Sequence, residues 1–160
     1  MAKTTDELLN TLRSAEPESL SDFFSENKDR MMPSKYPFAF YLRELLGHYG
    51  ITQREILEKA GFSLTYGYRL LSEERHTKQR DYILRICIAA GFTLEETQRL
   101  LTLYGMSPLY PRFPRDAVLI NAISAHITDI CKVNEMLEKQ KKTPLKASVP
   151  TGDDPSYIPF

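Results

Sequence analysis

Apolar residues recur at spacings of three and four along most of the chain, and no convincing run alternates apolar with polar β-branched residues as a half-buried strand would. The pattern predicts an all-α fold. Thr5-Asp6-Glu7-Leu8-Leu9 opens a short first helix, and Pro17 ahead of "ESLSDFFSEN" opens a second, with Phe23 and Phe24 on its apolar side. "DRMMPSKYP" is rich in helix breakers and reads as a connector to a central domain that begins near Phe38. There "FAFYLRELLGHYG" sets Phe38, Leu42, Leu45 and Leu46 at core spacing and stops at Gly50.

Thr52-Gln53-Arg54-Glu55 predicts a capping box at the next helix start: the threonine hydroxyl accepts from the Glu55 amide while the Glu55 carboxylate returns to the Thr52 amide. Ile56, Leu57 and Ala60 form that helix's inner face, Gly61 supplies a left-handed turn, and Ser63 caps a following helix running to about Ser72. On a helical wheel, Gly67, Leu70 and Leu71 of this helix turn inward. Thr65, Arg69 and Ser72 turn outward, and Tyr66 and Tyr68 take the two shoulders.

The chain then repeats itself. "RDYILRICIAAGFT" from Arg80 aligns with "RDAVLINAISAHIT" from Arg115, pairing Ile83 with Val118, Leu84 with Leu119, Ile88 with Ile123 and Phe92 with Ile127. After a one-residue slip, "LEETQRLLTLYGMSPL" from Leu94 aligns with "ICKVNEMLEKQKKTPL" from Ile130. Each copy predicts a helical hairpin, the two stacked by their apolar faces. The Arg-Asp openings place Asp81 and Asp116 near positive helix ends, a structural role; the alternative for the second copy is a docking surface for a partner or a second subunit.

The segment "LRELLGHYGITQREILEKAGFS", followed by a short helix and "LRICIAAGFTLEE", resembles the XRE family of lambda-repressor-like helix-turn-helix DNA-binding domains, over about residues 38–104. The resemblance implies a helix-turn-helix bundle in which the helix over 63–72 lies in the major groove of double-stranded DNA, usually in a dimer. It adds Gln53 as a contact. It also implies that Gly67 and Leu57 have exchanged sizes, because the family usually carries Ile or Val at the first position and Ala at the second. A Leu57 side chain lying over Gly67 would conserve volume and offset the cost of about 1 kcal/mol for a mid-helix glycine.

The expected organisation is an N-terminal helical extension over 1–35, a helix-turn-helix domain over 36–104, a C-terminal hairpin over 105–142 repeating 80–109, and a flexible tail over 143–160. That tail is rich in proline and ends in the apolar "PSYIPF". The candidate DNA-contacting residues are Gln53, Ser63, Thr65, Tyr66, Tyr68, Arg69, Arg75 and Lys78. Thr65 and Arg69 suit base edges or phosphate, and the tyrosines suit phosphate, sugar or thymine methyl groups. The structural alternatives are a place at the core edge for a tyrosine and an ion pair with Glu73 for Arg69.

Composition limits these expectations. In 160 residues, Lys plus Arg equals Asp plus Glu at 21 each, so a DNA-binding face has to be local. From Ser63 to Arg85 five basic residues stand against three acidic ones, and Glu73 and Glu74 occupy a loop where the family usually has basic residues. Cys87 and Cys131 form neither a metal spacing nor a disulfide framework, and three scattered histidines build no catalytic constellation. The expectation is a cytoplasmic protein that is not an enzyme, takes no cofactor or metal, enters no membrane and regulates transcription as a homodimer joined through its C-terminal helices. The alternative is a helical adaptor that keeps the fold and binds protein through its acidic N-terminal helices or its repeat face.

Overall fold

A computed structural model describes residues 2–33, 35–148 and 157–158. The described residues are predominantly α-helical: α1 (Ala2–Ser14), α2 (Leu20–Glu26), α3 (Pro37–Tyr49), α4 (Gln53–Ala60), α5 (Leu64–Leu71), α6 (Arg80–Ala90), α7 (Leu94–Leu103), α8 (Pro114–Ser124) and α9 (Ile130–Lys139). Two residue pairs, β1 (His76–Thr77) and β2 (Tyr157–Ile158), form an antiparallel bridge. One core runs from Phe38 in α3 to Leu145 after α9. The N-terminal helices add little to it: Phe23 is buried, but Phe24 is 53% exposed, so only one of the two phenylalanines turns inward.

From α4 onward the chain is a series of three helical hairpins, one more than the sequence comparison finds. Residues 60–71, "AGFSLTYGYRLL", match residues 90–101, "AGFTLEETQRLL", in sequence and closely in burial. Each hairpin turns in the same way. A left-handed residue follows the first helix, Gly61 (φ 85), Gly91 (φ 73) or His126 (φ 59). The next amide then reaches back to a carbonyl five residues earlier: Phe62 to Leu57, Phe92 to Cys87, Ile127 to Ala122. A side chain caps each second helix, Ser63, Thr93 or Asp129. The full capping box forms at Thr93 and Glu96, whereas at α4 only the half from Thr52 to the Glu55 amide forms.

Equivalent positions where the two helices of a hairpin cross hold Leu57 and Gly67, Cys87 and Thr97, Ala122 and Val133, all buried. The first pair divides the volume differently from the others. A β-carbon built on Gly67 would lie 2.5 and 2.7 Å from the two Leu57 methyl carbons, so the leucine occupies the space that a side chain on α5 would take. The mid-helix glycine is therefore the small half of a packing exchange.

The second and third hairpins are locked by a reciprocal pair of bidentate ion pairs. Arg80, opening α6, holds both carboxylate oxygens of Asp116 in α8, and Arg115, opening α8, holds both oxygens of Asp81 in α6, at 2.9 Å each. The ends of the two copies join symmetrically. Asp116 accepts from the Tyr110 amide and Asp81 from the Lys146 amide, at 3.0 and 2.9 Å. The Gln98 side chain bonds the Leu109 amide and Asn134 bonds the Leu145 amide, at 2.7 and 2.8 Å. Thus the Arg-Asp openings form the seam between units, a larger role than the helix-end charges expected from sequence.

This seam also corrects the boundary of the tail. Thr143 and Pro144 accept from Arg115, Leu145 is 2% exposed, and the buried Arg85 guanidinium donates to the Leu145 and Lys146 carbonyls at 2.9 and 2.8 Å. Residues 143–146 thus belong to the folded unit, because Arg85 and the seam need their backbone. Residues 149–156 and 159–160 of the expected flexible tail lie outside the described residues.

Two outcomes test this packing. Leu57→Ala should cost about 2 to 5 kcal/mol by urea unfolding, and adding Gly67→Val should recover most of that loss, whereas Gly67→Val alone should destabilise the parent. Arg80→Ala should cost about 3 kcal/mol by stranding the buried Asp116 carboxylate, and Arg80→Ala with Asp116→Ala should cost less than the sum of the two single changes, as a double-mutant cycle measures.

Candidate nucleic-acid interface

The helix proposed to read DNA is the second helix of the first hairpin, and comparison with its two counterparts shows what distinguishes it. In α7 and α9 the residues equivalent to Tyr68 are Gln98 and Asn134, whose amides clamp the chain that follows. The residues equivalent to Arg69 are Arg99 in α7, which pairs with Asp6 of α1, and Glu135 in α9, which is exposed. Tyr68, by contrast, makes no such clamp and is 41% exposed. Thr65 and Ser72 are exposed beside it, so α5 presents an outer face of hydroxyl, phenol and guanidinium groups.

Most of the expected contact residues lie at the surface. Ser63 is exposed, and its hydroxyl is occupied in capping the Tyr66 amide at 3.4 Å. Gln53 begins α4, half-buried, and Lys78 is exposed before α6. Arg69 lies 3.9 Å from Glu74, not Glu73, in a solvent-exposed pair worth about 0.2 to 1 kcal/mol, too weak to hold it from a phosphate. Arg75 is half-buried, its amide bonded to the Arg69 carbonyl at 3.1 Å.

Tyr66 is the exception. It is 2% exposed and lies among Phe62 and Tyr82, with ring centroids 6.1 and 6.3 Å away. The outer shoulder expected for it from the wheel is corrected: a short helix packed on both α3 and α4 buries a wider stripe than a surface helix does, and Tyr66 falls within that stripe, its ring against Tyr82 of α6.

The two glutamates of the loop after α5 separate. Glu74 faces solvent, but Glu73 is buried at 7% exposure, with its backbone in the left-handed region at φ 63. Its carboxylate accepts from the Ala39 amide at 3.2 Å, in the first turn of α3. That turn needs an outside acceptor, because Tyr36, the residue before it, supplies no side-chain cap. Glu73 is thus a remote cap and subtracts nothing from the outer charge. Arg80, one of the five basic residues from Ser63 to Arg85, is equally withdrawn, since it is committed to Asp116. Near α5 this leaves Arg69 and Lys78 at the surface and Arg75 half-buried, with Glu74 exposed.

Sequence reasoning missed both withdrawals, although the matched "AGFSLTYGYRLL" and "AGFTLEETQRLL" were there to mark Tyr68 as an odd member of a series. Among the described residues no group of three or more His, Cys, Asp or Glu side chains is arranged to hold a metal ion, and no helix is long and apolar enough to cross a membrane. Burial pushes the Cys87 thiol up to about 12, so it stays protonated in the core.

Burial also holds the Glu73 carboxyl above its ordinary value, against the opposing effects of the Ala39 amide and His76. A raised folded-state value means that Glu73 contributes most below the unfolded value near 4.5 and that this contribution is lost as pH rises through the folded value. Glu73→Gln keeps an acceptor for Ala39 without the charge. Its stability relative to the parent should therefore increase as pH rises from about 4 to 7, and Glu73→Ala should lose about 1 kcal/mol of helix capping, both read by thermal melts across pH. Compared with protein-family models, with curated proteins and with solved structures, the chain matches none.

Proposed function

We propose that the chain is a sequence-specific double-stranded DNA-binding protein, a transcriptional regulator with a lambda-repressor-like helix-turn-helix whose helix α5 enters the major groove. One observation carries this proposal: α5 alone among the three second helices has a solvent-facing aromatic, Tyr68, at the position that both counterparts use to clamp the chain that follows. Thr65, Tyr68 and Arg69 supply base-edge and phosphate chemistry, Gln53 and Ser63 flank them at helix starts, and Arg75 and Lys78 offer charge to the backbone. Withdrawal of Glu73 from the surface removes one of the two acidic groups that opposed this role.

The homodimer belongs to the same proposal. Among the described residues no further unit stacks on the last hairpin, and a cleft of about 480 Å³ opens between α8 and α9 beside Val118, Asn121, Met136 and Lys139. A two-fold contact there would double the few basic contacts of one protomer. The adaptor alternative is supported by a different surface: Leu9, Leu12, Leu20 and Phe24 of the N-terminal helices are each more than 40% exposed.

Selection of bound sequences from a random duplex library, repeated across salt concentrations, tests DNA binding. An enriched motif with affinity that falls steeply with salt is expected; no motif, or salt-independent binding, overturns it in favour of the adaptor. Arg69→Ala should cost about 1 to 3 kcal/mol and relax base preference at one position per half-site. Lys78→Ala should weaken all sequences alike and reduce the salt slope by about one.

A further inference from the structure

We propose that the segment containing Tyr157–Ile158 is an intramolecular ligand of the loop between α5 and α6, adding a strand to it and masking the basic edge of the candidate DNA face; the masking rests on the DNA-binding proposal above. The pairing is antiparallel, with His76 opposite Ile158 and Thr77 opposite Tyr157. The two receiving residues lie between Arg75 and Lys78, the loop cations assigned above to the phosphate backbone.

The receiving strand is fixed before any segment arrives. Glu73 turns the chain out of α5 and is itself anchored on Ala39. The Thr77 side chain is fully buried, its amide donates to the Tyr104 hydroxyl at 3.0 Å, and its hydroxyl accepts from the Gln79 amide at 3.0 Å. The His76 ring stacks on Tyr104, with centroids 4.3 Å apart and planes 19° apart. A short extended segment held from one side is the kind of edge that an incoming strand pairs with from the other. Beside it a cleft of about 520 Å³ is lined by His76, Lys78, Met106 and the largely exposed Phe113. The cleft offers both apolar and cationic walls.

The sequence of the arriving segment complements that edge. Asp153 and Asp154 precede "SYIPF", so one short peptide combines acidic groups with aromatic and branched apolar side chains. Eight residues separate Ser148, the last described residue before the paired segment, from Tyr157, and such a stretch spans up to about 30 Å when extended. Tethering gives the segment an effective concentration on the order of millimolar, so a weak strand addition suffices. Phosphates and the segment then compete for the Arg75 and Lys78 edge.

Three forms test this: the full chain, the chain ended after Ser148, and Ile158→Pro, which removes one backbone donor from the strand. In the free full chain, nuclear Overhauser contacts should join residues 76–77 to residues 157–158 at every protein concentration. The resonances of His76 and Thr77 should shift on truncation and in Ile158→Pro, with the rest of the fold unchanged. Duplex affinity should rise on the order of tenfold on truncation, as expected if the strand is closed nine-tenths of the time. Identical His76 and Thr77 resonances in the full and shortened chains overturn the proposal, as do contacts that appear only at high concentration, which would mean exchange between copies. Pairing with unchanged duplex affinity overturns the masking. Pairing in a protein that binds no duplex in either form supports the strand addition and removes the DNA-binding proposal instead.

Discussion

A guanidinium that has lost its water must find acceptors, and in this protein those acceptors come from the first hairpin and from the segment after the last. Arg85, only 9% exposed, donates to the Ala60 carbonyl at the end of α4 and to the carbonyls of Leu145 and Lys146 beyond α9. Its proton affinity is lowered by burial, with Asp81 opposing that effect. None of the three carbonyls can leave without stranding a buried charge. The end of the first helix in the candidate DNA-reading pair is thereby tied to the segment after the last hairpin, and the turn at Gly61 is held from beneath.

Around that cation the three hairpins differ mainly in what each second helix does with its outer side. The second and third use theirs to bind their own closing segments, and the Arg80–Asp116 and Arg115–Asp81 pairs make the same exchange in both directions across the seam. The first leads directly into β1 and α6 with no Pro-Leu segment of its own. Its outer side is therefore left to solvent. A helix with an open outer face is thus obtained from a structural repeat by omitting its closing clamp.

Much of this was legible in the sequence, for identifiable reasons. Caps, turn glycines and inner faces are local and periodic, so Thr52, Gly61, Ser63, Ile56 and Ala60 took their expected roles. The Leu57 and Gly67 exchange was legible because two unusual sizes compensate only if they touch. What stayed hidden was long-range: Glu73 reaches a helix start 34 residues earlier, Arg80 reaches Asp116, and Arg85 recruits Leu145 and Lys146 into the fold. Charges were counted by proximity in the chain, whereas burial decides which of them a partner meets. Tyr66 was misplaced because a wheel gives direction without saying how many neighbours a helix has.

The Leu57 and Gly67 arrangement has a consequence for how such a chain can change. Two distributions of volume fit this crossing, a large side chain on α4 or a large one on α5, and each is reached from the other by two substitutions. Every single step between them meets either a void or a collision in a fully buried place. The two residues therefore form one heritable unit, and a chain that has acquired the leucine on α4 is held to the glycine on α5 by an epistatic barrier.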